Sequence, residues 1–379
     1  MPGRTAILRR MPPAAASNTP RSIARWKHVV ACLGAMLLGG ASLGASCGAK
    51  ALTILPGVVN DPSNLSLRRE ILSYGTGQMC SEMQSRSVPL RLRDEDPVIG
   101  RFFPNACFLQ TLGNDNLFIQ FGGSGYAWTN ITKRMSFEAS AAVEYDHDFL
   151  MDGDSMYIYF RQRSTSASSF KTTMVEQQVA APVLALPGVQ PQSSQSYADA
   201  FGNQVMKSQI ARGFTVIRHG DGAVEFGLGI IDKGQRPAAP YKVTDTGRLL
   251  LSNERAEVHQ NQREFVGPLS VGSGDALYLT VNVEGAPGTD VLVVPRMVGD
   301  GWLKSYTTQP GTTAPPGRTA LDEPVYAGVT WRRTLPLEEG QYYVVFDNTS
   351  SAGRTQPPTV VGDDRAATIS YAIELGDAP

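Results

Sequence analysis

The stretch RMSFEASAAVEY, residues 134–145, is the clearest sign of the fold in this chain. Its odd-numbered positions, from Met135 to Tyr145, are apolar, and they alternate with serine, glutamate and one alanine. This period of two predicts a long β-strand with one buried face. A turn-rich segment follows at residues 146–154, and Met156, Ile158 and Phe160 then alternate with other side chains. Together the two strands predict an antiparallel hairpin.

Helices are predicted on either side of this hairpin. Residues 61–63 begin a helix that runs to about residue 84, and Ser196 caps a second helix that Gly213 ends. Another hairpin follows at residues 214–230. Because a helix and one hairpin cannot bury a core alone, we assign all these elements to one α+β domain, residues 63–235. It contains an antiparallel sheet with two helices against it.

The segment QRPAAP, residues 235–240, indicates a break in the chain. Beyond it no helix is predicted, and short alternating strands recur, for example at residues 277–283 and 369–375. Short strands between turns predict an all-β sandwich over residues 245–379. The stretch LEEGQYYVVFDN, residues 337–348, resembles the late strand of bacterial PPC-like (pre-peptidase C-terminal) and GOLD-like domains. This resemblance implies a jelly-roll-like sandwich of the kind that serves as an accessory or interaction module.

The composition is that of a globular protein. Of 379 residues, 42% are hydrophobic and 18% are charged. The first 46 residues hold six of the 34 basic residues and none of the 35 acidic ones, so the rest of the chain is mildly acidic. An acidic body has no electrostatic reason to bind nucleic acid, and we predict no such partner.

The N-terminus has the order of a secretory signal. A basic stretch ends at residue 27, an apolar stretch covers residues 29–38, and small residues lead to Cys47. This order predicts a signal peptide over residues 1–46. A buried core helix and an organellar transit peptide are the alternatives.

The string LGASC, residues 43–47, resembles the lipobox of bacterial lipoproteins, although its leucine stands one position earlier. The resemblance implies that Cys47 becomes the first mature residue and carries acyl chains, which anchor the protein to a membrane. Residues 47–62 would then be a tether. Gly48 after the cysteine implies delivery to the outer membrane of a bacterial cell envelope, with the periplasmic or the surface face left open.

The cysteine count fits an oxidising compartment. Cys32 lies in the signal and Cys47 is the anchor, which leaves Cys80 and Cys107. An even pair in an exported protein predicts one disulfide. The alternative is two unrelated buried thiols.

Catalytic motifs are scarce. After the signal the chain has only His147, His219 and His259, and no HExxH motif. Residues 122–126 depart from the Gly-x-Ser-x-Gly elbow, and residues 168–171 match Ser-x-x-Lys without its companion motifs. We therefore predict no catalytic residue, no cofactor and no enzymatic activity.

An acidic group is the one candidate metal site. Asp146, Asp148, Asp152 and Asp154 lie near a predicted turn, and carboxylates in a flexible loop can bind Ca²⁺. The alternative is a turn that these acids keep solvated.

Aromatic residues suggest a second candidate site. Tyr126, Trp128, Tyr157 and Tyr159 belong to neighbouring predicted strands, and Tyr157 and Tyr159 share one face. They are candidates for binding a ligand or a partner, and a packed core is the alternative.

Three functions follow in order of preference. The first is a non-enzymatic structural or interaction lipoprotein that docks on an envelope protein partner. The second is a carrier lipoprotein for lipids or other hydrophobic ligands. The third is a hydrolase, which would need His147 or His219 beside a second functional group in a cleft. A contiguous apolar cavity between sheet and helices would favour the carrier, and a filled interior would favour the interaction module.

Overall fold

The structure is a computed structural model that describes residues 56–69, 80, 84–85, 87–113, 116–177, 193–219, 224–242, 247–357 and 365–379. The predicted signal, Cys47 and most of the tether lie outside these residues. Within them, no helix is long and apolar enough to cross a membrane. The described residues include part of the predicted first helix, and residues 65–69, 80 and 84–85 are helical.

Seven antiparallel strands form one curled sheet, in which each strand pairs with its neighbours along the chain. They are β1 (Val88–Leu90), β2 (Gly100–Thr111), β3 (Leu117–Thr129), β4 (Lys133–Asp152), β5 (Ser155–Val175), β6 (Phe214–Arg218) and β7 (Val224–Leu228). The alternating residues of 134–145 lie in β4, as predicted. Phe137 and Val143, for example, are buried while Glu138 and Ser140 are exposed.

The turn after this strand is much shorter than predicted. Strand β4 continues through residues 146–152, and the reversal is confined to Gly153 and Asp154. Gly153 has a φ of 61°, which glycine adopts without steric cost. The extension is stable because β5 pairs with β4 along its whole length, from Met135 opposite Val175 to Asp152 opposite Ser155. The prediction of a turn-rich segment at residues 146–154 is therefore wrong.

Helix α1 (Ser194–Arg212) packs against the curled sheet. Its N-cap is Ser193 rather than the predicted Ser196. The Ser196 amide donates to Ser193 Oγ at 3.2 Å, and the Ser193 amide donates to Ser196 Oγ at 3.0 Å, which makes a capping box. Gly213 follows the helix with a φ of 67°, so its predicted end is confirmed.

The second half of the chain forms two four-stranded antiparallel sheets with the packing of a β-sandwich. One has the order β13-β10-β15-β8 and the other the order β12-β11-β14-β9. Their apolar faces share one buried cluster. The strands are β8 (Leu249–Val258), β9 (Gln262–Val271), β10 (Asp275–Glu284), β11 (Gly288–Pro295), β12 (Leu321–Tyr326), β13 (Trp331–Pro336), β14 (Gly340–Asn348) and β15 (Ala367–Asp377).

A helix also occurs in this half, contrary to prediction. Helix α2 (Arg296–Thr308) connects β11 to β12. It buries Gly299, Trp302 and Tyr306, which lie one turn apart on one face. A Cβ on Gly299 would lie 2.2 Å from the Tyr343 ring, so glycine allows the helix to approach the sheet closely. Two glycines within the helix interrupt this amphipathic pattern in the sequence.

Contacts join the curled sheet to the sandwich. Val98 pairs with Ala256 of β8, and Tyr126 of β3 packs with Phe265 and Tyr306. Residues from Pro56 onward form one compact unit. The division into an α+β domain and a sandwich domain stays a prediction. Cys80 and Cys107 have sulfur atoms 1.99 Å apart, at disulfide distance, and the pair links a helical residue to β2.

Candidate functional site

A cavity of about 310 Å³ lies between the curled sheet, helix α1 and the sandwich strands β8 and β9. Its walls are mainly aromatic and aliphatic. The large apolar side chains that line it are Val88, Leu90, Phe102, Phe121, Tyr145, Ile158, Phe160, Met206, Ile210, Phe214, Val216, Phe226, Leu228, Leu250, Leu251, Val266 and Leu269.

Strand alternation determines which side chains of the curled sheet reach the cavity. In β5, Ile158 and Phe160 line it, whereas Tyr157 and Tyr159 point to the opposite face. In β6, Val216 lines it and its neighbour Ile217 packs with the two tyrosines. The period of two therefore builds one cavity face and one packed face from the same strands.

The four aromatic residues predicted to bind a ligand lie elsewhere. Tyr157 is buried, and its hydroxyl donates to the Gln235 carbonyl at 3.2 Å. Tyr159 stacks beside it, and Trp128 stacks on His259 with ring centroids 3.3 Å apart. None of these residues lines the cavity, because packing against other segments covers their faces.

Tyr126 is the fourth of these residues, and it lies at the junction of sheet and sandwich. Its hydroxyl donates to Glu264 Oε2 at 2.9 Å and accepts from the Phe265 amide at 2.8 Å. Both polar roles of the hydroxyl are thus taken by β9. The cavity lies on the opposite face of the curled sheet from these residues.

The predicted break at residues 235–240 contributes to the cavity wall. Pro237, Ala238 and Ala239 line the cavity. The Ala238 amide donates to Asp94 Oδ2 at 3.0 Å, which holds this segment against the loop after β1. A stretch that was predicted to be a break in the chain is therefore part of the cavity wall.

One end of the cavity is charged. Arg101 of β2 is 1% exposed, and its Nε donates to Glu264 Oε1 at 2.6 Å. Its Nη2 donates to Glu254 Oε2 at 2.5 Å and to the Tyr371 hydroxyl at 2.8 Å, and its Nη1 donates to Ser87 Oγ at 3.2 Å. All three nitrogens have partners, as a buried guanidinium requires.

The pKa values of the two glutamates that share Arg101 are shifted in opposite directions. Burial raises the pKa of Glu264 above its usual range, and the nearby Arg101 charge offsets only part of this effect. Burial acts on Glu254 in the same way, but there the charges of Arg101 and Arg91 outweigh it, so the pKa of Glu254 is lowered. Arg101 lies 153 positions from Glu254 and 163 positions from Glu264 in sequence, and no local motif marks this network.

The four aspartates predicted to bind calcium are not gathered into a site. In the described part of the chain, no group of three or more His, Cys, Asp or Glu residues could hold a metal ion. Asp146 pairs with Arg163 at 3.4 Å, Asp148 pairs with Arg68, and Asp152 pairs with Lys233 at 3.2 Å. These three carboxylates therefore pair with cationic side chains. Asp146 and Asp148 lie in the extended strand β4 rather than in a flexible loop.

His219 meets two functional groups. Its Nδ1 lies 3.1 Å from Ser155 Oγ, and its Nε2 lies 3.2 Å from Glu225 Oε2. Glu225 lines the cavity, whereas Ser155 and His219 do not. The condition set for a hydrolase, a histidine beside a second group within a cleft, is met only in its first part.

Comparison with known proteins adds little. No family model and no curated protein matches the chain. A solved structure, the glycoside hydrolase family 43 arabinoxylan arabinofuranohydrolase from Bacillus subtilis in complex with cellotetraose, aligns with it at 10% identity and a TM-score of 0.21. The alignment covers 70% of this chain and 66% of that protein, which is less than two thirds of its length.

This comparison bears on the prediction that the protein is not an enzyme. The aligned protein is an enzyme, and the prediction that this chain is not one is withdrawn. At a TM-score of 0.21 the likeness carries no argument for any activity of this chain.

Proposed function

We propose that this protein binds hydrophobic small molecules in the cavity between the curled sheet, α1 and the sandwich. The observation that carries the proposal is the cavity of about 310 Å³ with aromatic and aliphatic walls. Small-molecule sites in proteins have volumes of about 300–1,000 Å³. An apolar cavity of only about 150 Å³ is enough to bind benzene.

The way the walls are held also supports a binding site. Helix α1 has a capping box, and the Asp94–Ala238 hydrogen bond holds residues 237–239 against the loop after β1. Arg101 joins β2 to the sandwich. These contacts hold α1, the segment around Ala238 and β2, all of which contribute residues to the cavity wall. Wall atoms that face an open space lack dispersion partners on that side, and an apolar ligand supplies them.

In this proposal the protein works as a carrier lipoprotein of a bacterial envelope. Cys47 carries the membrane anchor after residues 1–46 are removed, and outer-membrane delivery follows from Gly48. The α+β domain of residues 63–235 supplies the curled sheet and α1, and the sandwich of residues 245–379 closes the cavity. The interaction module on an envelope protein remains a prediction.

Binding of the uncharged probe N-phenyl-1-naphthylamine tests the proposal. The full chain with Cys47→Ser is purified without detergent, so that no acyl chain of its own competes for the cavity. We expect saturable fluorescence enhancement. Val216→Trp, which places an indole in the cavity, should weaken the probe affinity by at least about tenfold, equivalent to about 1.4 kcal/mol.

Val329→Trp is the matched control, because Val329 lies in an exposed turn between β12 and β13. We expect its affinity for the probe to stay at the level of the parent chain. Absence of saturable binding, or equal affinity in both tryptophan variants, would overturn the proposal.

A further inference from the structure

Arg91 is a buried cation in the wall of an apolar cavity. It follows β1 directly, lines the cavity and is 7% exposed. A guanidinium has five N–H donors and keeps its charge, so burial is unfavourable unless these donors find acceptors. The partners of Arg91 therefore indicate what the site can bind.

The acceptors around Arg91 are few. Its Nη1 donates to the Asp94 carbonyl oxygen at 3.2 Å, and Asp94 Oδ1 lies 3.9 Å from the same nitrogen. Its Nε is buried and has no hydrogen-bond partner among the described residues. The other carboxylate oxygen of Asp94 already accepts from the Ala238 amide.

Arg101 lies in the same cavity wall and differs from Arg91 in its hydrogen-bond partners. All three of its nitrogens have acceptors, and Glu254 and Glu264 neutralise it. Glu254 is in turn occupied by Arg101 and by the Tyr371 hydroxyl, which donates to Oε2 at 2.6 Å. Of these two cations, Arg91 is the one with a buried nitrogen that lacks a partner among the described residues, whereas Asp94, Glu254 and Glu264 all have partners.

We propose that Arg91 binds the carboxylate of a single-chain anionic amphiphile, whose acyl chain lies in the apolar part of the cavity. This inference rests on the proposed function and names the class of ligand. A carboxylate presents two oxygens in one plane and can accept two parallel N–H donors from a guanidinium. The cavity volume suits one acyl chain rather than a lipid with several.

Gln209 supports a built site at this position. Its Nε2 donates to the Arg91 backbone carbonyl, and Gln209 itself lines the cavity from α1. Helix α1 and the loop after β1 therefore hold the backbone of Arg91 in place. A backbone fixed in this way reduces the conformational entropy that Arg91 loses when it binds a head group.

Competition against N-phenyl-1-naphthylamine tests the inference, with decanoate, decanol and decylammonium as competitors. The three share one chain and differ in head-group charge. We expect decanoate to displace the probe at a concentration at least about tenfold lower than decanol, because hydrogen bonds to charged groups are the stronger ones. Decylammonium should be the weakest competitor.

Arg91→Met should remove the preference for decanoate over decanol, with both competitors measured against probe bound to the same variant. Arg93→Met is the matched control, since Arg93 lies two residues away in the same loop and is exposed. It should keep the full preference. Should Arg91→Met not fold, Arg91→Lys keeps the charge without the planar fork, and a reduced preference is expected there.

Each outcome separates the two proposals. Probe binding without a preference for decanoate, or a preference that survives in Arg91→Met, would overturn the role of Arg91 and leave the apolar site standing. A preference for decylammonium would also overturn it and would assign the head group to Asp94 or Glu254. If the probe does not bind at all, the proposed function itself fails.

Discussion

The sandwich and the curled sheet use the same strand pattern, but they enclose different interiors. In the sandwich, the apolar faces of two sheets pack on each other, and the rings of Phe346 and Tyr371 lie 4.6 Å apart. In the curled sheet, Ile158 and Phe160 have an equally regular alternation and border a cavity. Alternation identifies a face that avoids water, and it does not identify what covers that face.

The difference has a geometric cause. Two sheets that face each other can interdigitate side chains at protein packing density. A single curled sheet is covered here by unlike elements, namely α1, a loop segment and the edge strands β8 and β9 of the sandwich. The space between these elements is the candidate site.

The largest effect is expected where the two regions meet. Arg101→Met leaves Glu254 and Glu264 buried beside one another without their cation, and we expect a loss of about 3–5 kcal/mol in the free energy of unfolding. Arg163→Met is the control, because Arg163 forms exposed ion pairs, for which about 0–1 kcal/mol is expected. Denaturant unfolding measures both. Equal losses in the two variants would mean that the junction does not couple the regions.

Leucine truncations compare the two interiors directly. Leu279→Ala in the sandwich removes a side chain that is 2% exposed within a filled core, and we expect a loss of about 2–5 kcal/mol. Leu228 borders the cavity, so Leu228→Ala only enlarges a space already present and should be less destabilising, by less than about 2 kcal/mol. The same denaturant titration applies. A larger loss for Leu228→Ala would contradict the distinction between filled and open interiors.

The smallest expected effect is a change in pH dependence. Because the folded-state pKa of Glu264 is raised by burial, its contribution to stability is fully present below the pKa of an unfolded glutamate, about 4.3. That contribution is lost as the pH rises through the folded-state pKa. Glu264→Gln should therefore unfold with a less negative slope of stability against pH over this window.

Unfolding curves at several pH values from 4 upward would provide the measurement. Glu254→Gln is the opposite control, because the pKa of Glu254 is lowered and its contribution is lost on acidification instead. Identical slopes for the parent chain and Glu264→Gln would show that Glu264 has no raised pKa in the folded protein.

Local features of the sequence were sufficient for several regular elements, although not for helix α2. The alternation at residues 134–145 predicted β4, the repeats at residues 277–283 and 369–375 predicted β10 and β15, and Gly213 predicted the end of α1. The even pair of cysteines predicted the contact between Cys80 and Cys107. Each of these depends on backbone period, on a conformation that glycine adopts, or on a count, which are properties of neighbouring residues or of composition.

Only the tertiary structure decided where the cavity lies and which face of the curled sheet forms it. The aromatic face chosen from sequence, with Tyr157 and Tyr159, is packed, and the cavity lies on the opposite face. Arg101 meets Glu264 across 163 positions of sequence, and the Asp94–Ala238 contact spans 144. Such contacts depend on strand register and on how unlike elements meet in space, and the period of a single strand contains neither.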